Sequence, residues 1–271
     1  MIPELVFTFW EGKQFTYLHY LTVVTFKTYN PDIPLIVYLS ETSDELVRWS
    51  SNEHSLEYNN IIDINTVSNI KGVEIKRIDV NKELNYTNKL SPVWKSDIVR
   101  ILKLYEHGGI YIDFDILFIS KIPSYLFHLE KEMAFNTYNN VINNAFIVSH
   151  KNSELCRVLL DNILNVLHHN MNNGYQQFGP TLITKLIKNT SHEDKVYYIP
   201  NDQTCPYLWN QMDTLFFSNT DLTTKDTFCI HWYNGANSSS VYCNAFNIYN
   251  INSSNNIFEK LLSKCSTLNM A

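Results

Sequence analysis

The chain opens on a short apolar run from Leu5 to Trp10, closed by Glu11-Gly12. A run of that length ended by a turn signal predicts a buried first strand. From Gln14 to Tyr29 apolar side chains return at Phe15, Leu18, Leu21, Val24 and Tyr29, a helical spacing that Asn30-Pro31 stops. Leu35 to Leu39 predicts a second strand and Val73 to Val80 a third. Between them, Thr42 and Glu45 have the spacing of a capping box for a helix through Trp49. Strands alternating with helices at these separations predict a parallel α/β sheet.

The segment Ser91 to Phe118 carries the most information. Ser91 stands where a helix cap belongs, with Pro92 at the first helical position. Trp94, Ile98, Ile101 and Tyr105 follow at helical steps, and His107-Gly108-Gly109 supplies the stop. Ile110 to Ile119 reads as a strand interrupted by two acids, Asp113 and Asp115. Further on, Met133 to Phe135 and Asn144 to Ser149 predict short strands, and Ser153 to His169 a helix. Gly179-Pro180 opens a helix through Ile187, and Tyr197 to Ile199 and Thr227 to Trp232 predict strands. The Asn/Ser-rich stretch from Asn234 to Ser240 reads as a loop, and Ile257 to Leu262 as a terminal helix.

Composition narrows the class. Hydrophobic residues at 45% against 18% charged is a globular balance, and 271 residues fit a single domain. A net charge of −6 with no basic stripe argues against nucleic acid as a partner. Five dispersed cysteines with no C-x-x-C pair read as reduced thiols. No basic leader opens the chain and no 18-residue apolar run interrupts it, so neither a signal peptide nor an integral membrane span is expected. The expected location is cytoplasmic, in a bacterial, viral or host-delivered setting.

The acidic pair carries the chemistry. Two residues apart in a strand, Asp113 and Asp115 would present both carboxylates on one face. Like charges held together inside apolar sequence are costly unless something offsets them. A hard divalent cation such as Mn²⁺ or Mg²⁺ does so through oxygen ligands, and leaves positions open for a diphosphate.

Ser96-Asp97-Ile98-Val99-Arg100 followed by Gly108-Gly109-Ile110-Tyr111-Ile112-Asp113-Phe114-Asp115 resembles the signature of the glycosyltransferases with a DXD sugar-binding region. That group includes the yeast initiating mannosyltransferases, the α-1,4-galactosyl- and N-acetylglucosaminyltransferases and, more distantly, the clostridial glucosylating toxins. Ile2 to Trp10 is similar to their opening strand, with Thr8 in place of the usual His.

The resemblance implies a GT-A-type, Rossmann-like nucleotide-sugar-binding domain with a mixed central sheet over residues 1–271. About 1–120 would form the nucleotide-sugar half, about 121–250 the acceptor half and closing loop, and about 251–271 a terminal helix and tail. It implies that Asp97 and Arg100 bind the donor sugar, with Tyr111 nearby. Asp113 would face ribose and a metal-bound water, and Asp115 would ligate the metal directly. Phe9 and Trp10 match the nucleobase position. His231-Trp232-Tyr233-Asn234 resembles the segment that closes over the diphosphate, with His231 as a further metal ligand. Asn144 and Gly179-Pro180-Thr181 fall where donor and acceptor elements lie.

The implied reaction moves a sugar from a nucleotide sugar, a UDP-sugar by preference, to a glycan or protein hydroxyl, with retention of configuration. Haloacid-dehalogenase-like phosphatases also place D-x-D after a strand, but here Leu117 occupies the position they need as Thr or Val, and no downstream G-D-x-x-x-D occurs. A non-catalytic sugar- or metal-binding module is the other reading.

Overall fold

The computed structural model describes residues 1–42, 58–169, 177–247 and 255–265. In chain order its elements are β1 (Val6–Trp10), α1 (Tyr17–Tyr29), β2 (Leu35–Ser40), β3 (Val73–Ile78), α2 (Val80–Glu83), α3 (Pro92–His107), β4 (Gly109–Ile112), β5 (Ile116–Phe118), β6 (Met133–Tyr138) and β7 (Val141–Ser149). Then come α4 (Glu154–His168), α5 (Pro180–Ile187), β8 (Val196–Ile199), α6 (Asn201–Thr204), α7 (Met212–Phe217), β9 (Cys229–His231), α8 (Asn237–Ala245) and α9 (Ile257–Ser263). The expected helix from Thr42 to Trp49 lies outside the described residues.

Seven strands form one sheet in the order β3-β2-β1-β4-β7-β6-β8. The half from β3 to β4 is parallel, as the alternating pattern predicts; β7 then runs antiparallel to β4, which makes the sheet mixed. β1 is buried on both faces, as a central parallel strand must be. Phe7 and Phe9 join a core cluster with α3 and α4, while Val6 packs with Val23 and Phe26 of α1 on the other side. No helix among the described residues is long and apolar enough to cross a membrane.

The helix from Pro92 forms as its signals require: Ser91 Oγ accepts from the Trp94 amide, and Gly108 ends the helix at φ 68°. Glycine is needed at this corner because the backbone of Gly109 passes against β1. A Cβ there would stand 2.4 Å from the Leu5 carbonyl oxygen, and the residue's φ is 99°. This corner delivers β4, and with it the D-x-D, to the centre of the sheet edge.

Three expectations change. The segment Ile110–Ile119 is not one strand. Pairing of β4 with β7 stops at Ile112, Asp113-Phe114-Asp115 forms a turn, and β5 pairs instead with β9 in a separate two-stranded sheet. Phe114 anchors the turn by packing edge-on against Trp10 and Phe15. The first helix starts at Tyr17 rather than Gln14, because the Thr16 amide is taken by His19 Nδ1 (3.1 Å) and the Gln14 side chain accepts from the Tyr58 amide. The stretch from Asn234 to Ser240 is only in part a loop: α8 begins at Asn237. Its inward serines meet backbone carbonyls, Ser239 at Trp232 and Ser240 at Asn234 (2.6 and 2.8 Å), so tertiary contacts override weak helix propensity.

Candidate active site

A cleft of about 790 Å³ lies along the edge of the sheet at which β1 and β4 end. Clefts at the carboxyl ends of parallel strands are the usual ligand site of open α/β sheets. Phe9, Trp10, Asp97, Arg100, Asp113, Asp115, Asn144, His231 and Asn234 all line it.

Its floor is a charged cluster built from α3, the turn after β4, and β7. Arg100 and Asp97 sit one helical turn apart, with Nη2 3.2 Å from Asp97 Oδ1. Arg100 Nη1 reaches Asp113 Oδ2 (3.3 Å) and the Asn144 carbonyl (2.6 Å), and its guanidinium lies over the Tyr111 ring, 4.6 Å from the centroid. The Tyr111 hydroxyl donates to Asp113 Oδ1 at 2.7 Å, and Asn144 Nδ2 donates to Asp97 Oδ1 at 2.9 Å. Burial would lower the Arg100 guanidinium, but Asp113, Tyr111 and Asp97 hold it above its ordinary value. Burial pushes the Asp97 carboxyl up to about 6, against the pull of Arg100. Burial likewise raises Asp113, with Arg100 opposing and Asp115 adding to the rise.

Gly179 closes the cluster from above. A Cβ at this position would fall 2.7 Å from both Asn144 Nδ2 and Asp97 Oδ2. The N-terminal end of α5 therefore lies against the Asp97 carboxylate, where a helix favours negative charge.

Asp115 is held differently. Its Oδ2 accepts from the Asn234 amide (2.9 Å) and lies 3.2 Å from His231 Nε2. Burial works against its charge, but His231 more than offsets this and brings the carboxyl down to about 2. Burial would lower the His231 imidazole, and Asp115 instead lifts it to about 10. Asp115 Oδ1 is buried and has no hydrogen-bond partner among the described residues. An orphaned carboxylate oxygen in a cleft is costly by itself and suits a cation ligand. Asp113, by contrast, has both oxygens engaged. Among the described residues no three acidic, histidine or cysteine side chains form a complete metal cage. A cation here would therefore draw part of its coordination from a ligand.

Two expected residues do not line the cleft. Tyr111 lies beneath it, fully buried, with its hydroxyl bonded to Asp113. Trp232, the residue after β9, is 1% exposed and packed on His19 and Phe216. Several lining residues were not singled out from the sequence. Ser96 bonds Arg100 Nη2 and the Tyr111 hydroxyl (2.9 and 3.0 Å); its place in S-D-x-x-R was the signal available. Asn143 lies 3.3 Å from His231 Nδ1. His19, Tyr58, Tyr138, Val141 and Trp209 come from distant elements and carry no local motif, whereas Tyr233 lies inside the His231–Asn234 segment.

The family model described as a glycosyltransferase sugar-binding region containing a DXD motif matches residues 19–142. No curated protein matches the chain in sequence. Among solved structures, the apo-form glycosyltransferase GlyE of Streptococcus pneumoniae TIGR4 is similar over 97% of this chain and 63% of its own, at 11% identity and a TM-score of 0.50. The PaToxG glycosyltransferase aligns over 69% of this chain and 68% of its own, at 18% identity and a TM-score of 0.47. The galactosyltransferase LgtC, solved with donor and acceptor sugar analogues, aligns over 90% and 96%, at 11% identity and a TM-score of 0.47.

Proposed function

We propose that this chain is a glycosyltransferase that uses a divalent cation and a UDP-sugar and transfers the sugar with retention to a hydroxyl acceptor, a reading supported by the match of residues 19–142 to the model of a DXD-containing sugar-binding region. The observation that carries this reading is the pairing of two unlike carboxylates at one cleft floor. Asp113 is saturated by Arg100 and Tyr111, whereas Asp115 keeps a buried oxygen without a partner among the described residues.

Asp115, with Asp113 and His231 beside it, would hold Mn²⁺ or Mg²⁺, which when bound would neutralise charge on the departing diphosphate. Asp97, Arg100 and Asn144 form a rigid polar wall that fits the hydroxyls of the donor sugar. Trp10 and Phe9 at the end of β1 offer aromatic surface for the base. In the transfer, the bond between the anomeric carbon and the diphosphate oxygen breaks and a bond to the acceptor oxygen forms. The acceptor proton leaves with the diphosphate. The arrangement favours this same-face course because, among the described residues, every carboxylate at the floor is engaged in an ion pair and none stands free as a base.

Incubation with Mn²⁺ and a panel of nucleotide sugars, followed by release of free nucleoside diphosphate, tests the reading. Phosphate release from phosphoesters without sugar-donor turnover would support a phosphatase instead. Binding without turnover would support a sugar- or metal-binding module.

A further inference from the structure

Few large hydrophobic side chains stay exposed among the described residues, and three of them line this one cleft: Tyr138 (39%), Val141 (46%) and Trp209 (44%). Exposed apolar groups gathered at a cleft mouth mark a binding surface more often than scattered ones do. Tyr138 and Val141 face each other across the tip of the β6–β7 hairpin. The two residues between them, Asn139 and Asn140, have φ of 48° and 64°. That is a tight turn of the kind Asn accepts, and it holds the pair in place. Trp209 stands edge-on to Tyr233 (centroids 5.8 Å apart), whose ring lies 3.8 Å from that of His231. The aromatic mouth is thus joined to the charged floor.

Charge separates the two levels. The ionised groups that line the cleft sit low and are paired inside the protein: Glu11 with Lys95, Asp97 and Asp113 with Arg100, Asp115 with His231. Even Asp113, the most open of these, is only 26% exposed. Among the described residues, the exposed ones that line the cleft are neutral. Position separates them too: β1, with Trp10, lies on one side of β4, and the β7–β6 hairpin lies on the other. A nucleotide reaching Trp10 across Asp115 leaves the hairpin side open.

We propose that Tyr138, Val141 and Trp209 form the acceptor subsite and that they receive the apolar face of an uncharged sugar ring, so that the acceptor is a glycan hydroxyl. This rests on the transferase reading above. Aromatic faces with neutral amides beside them suit the C–H-rich face of a pyranose and offer nothing to a charged acceptor.

With the nucleotide sugar that wild type turns over fastest, transfer to a panel of p-nitrophenyl hexopyranosides is measured beside hydrolysis of the same donor by water. Trp209→Ala raises KM for the glycoside about tenfold or more, a loss several-fold larger than any change in donor hydrolysis or UDP affinity. Trp209→Phe restores most of the loss, and Val141→Asp reproduces it. Equal loss of hydrolysis and transfer in Trp209→Ala would overturn the subsite, as would unchanged transfer. So would a wild type that hydrolyses donor but glycosylates peptide hydroxyls only, or no glycoside in the panel. A wild type that turns over no nucleotide sugar at all instead removes the transferase reading itself.

Discussion

Asp115 and His231 meet because β5 and β9 pair in a register that sets Ile116 opposite His231. The Trp232 amide then closes on the Asp115 carbonyl at 2.8 Å, and His231 Nε2 arrives 3.2 Å from Asp115 Oδ2. A two-stranded ladder of three residues a side is what joins the C-terminal segment to the D-x-D.

Asp115→Asn keeps the size of the side chain and removes its charge. Turnover of the nucleotide sugar is expected to fall at least about 100-fold, the scale of losing one main electrostatic group in a site. The fold should survive, checked by circular dichroism and thermal unfolding. Near-normal turnover would remove Asp115 from the site.

Arg100 is the only cation bonded to both Asp97 and Asp113 among the described residues. Removing one member of a buried ion pair costs about 3–5 kcal/mol, because the partner's charge is left uncompensated. Arg100→Ala should lose stability on that scale in chemical denaturation. Combining it with Asp97→Asn should cost less than the sum of the two single changes. Additive losses would mean that the cluster is not coupled.

Among the described residues Asp97 bonds Arg100 and Asn144, and its link toward Asp115 runs only through Arg100 and Asp113. Asp97→Asn should therefore lower kcat/KM for the nucleotide sugar by about 100-fold and change the Kd for UDP by less than about threefold. Parallel losses in both would contradict its assignment to the sugar.

His19 sets a pH dependence of stability. Burial, partly opposed by Asp115, lowers its imidazole to about 4 from the ordinary 6.5. The unfolded chain therefore binds a proton at this residue before the folded chain does. Stability falls as pH drops below about 6.5, and the loss is complete near pH 4. Between pH 7 and pH 5 this group contributes a loss of about 2 kcal/mol. His19→Gln should flatten the slope of stability over that window by a similar amount, whatever its effect at pH 7. An unchanged slope would contradict a buried, neutral His19.

Much of this frame is legible in the sequence where local rules and tertiary structure agree. Ser91-Pro92, the helical spacing to Tyr105 and the pair Gly108-Gly109 each specify their own geometry, and the observed α3–β4 corner follows them. The acid pair is legible as chemistry but not as geometry. Its residues lie on a turn, because the partner strand changes from β7 to β9 after Ile112, and partner choice is not a local property. Trp232 was expected in the cleft beside His231, yet just past β9 it packs into the core on His19 and Phe216. The exposed aromatic mouth gave no signal in advance. Tyr138, Val141 and Trp209 become neighbours of the cleft only once β6, β7 and the segment before α7 are placed.

The central claim is that Asp115, with Asp113 held beside it by Arg100 and Tyr111, captures a cation that in turn holds a pyrophosphate. Crystals soaked with Mn²⁺ and UDP, with anomalous data collected at the manganese edge, test it most directly. The account predicts one manganese peak joining Asp115 to the diphosphate, with His231 shifted away from its present contact with Oδ2. A map without that peak, with Asp115 still paired to His231 and the UDP elsewhere or absent, would contradict it.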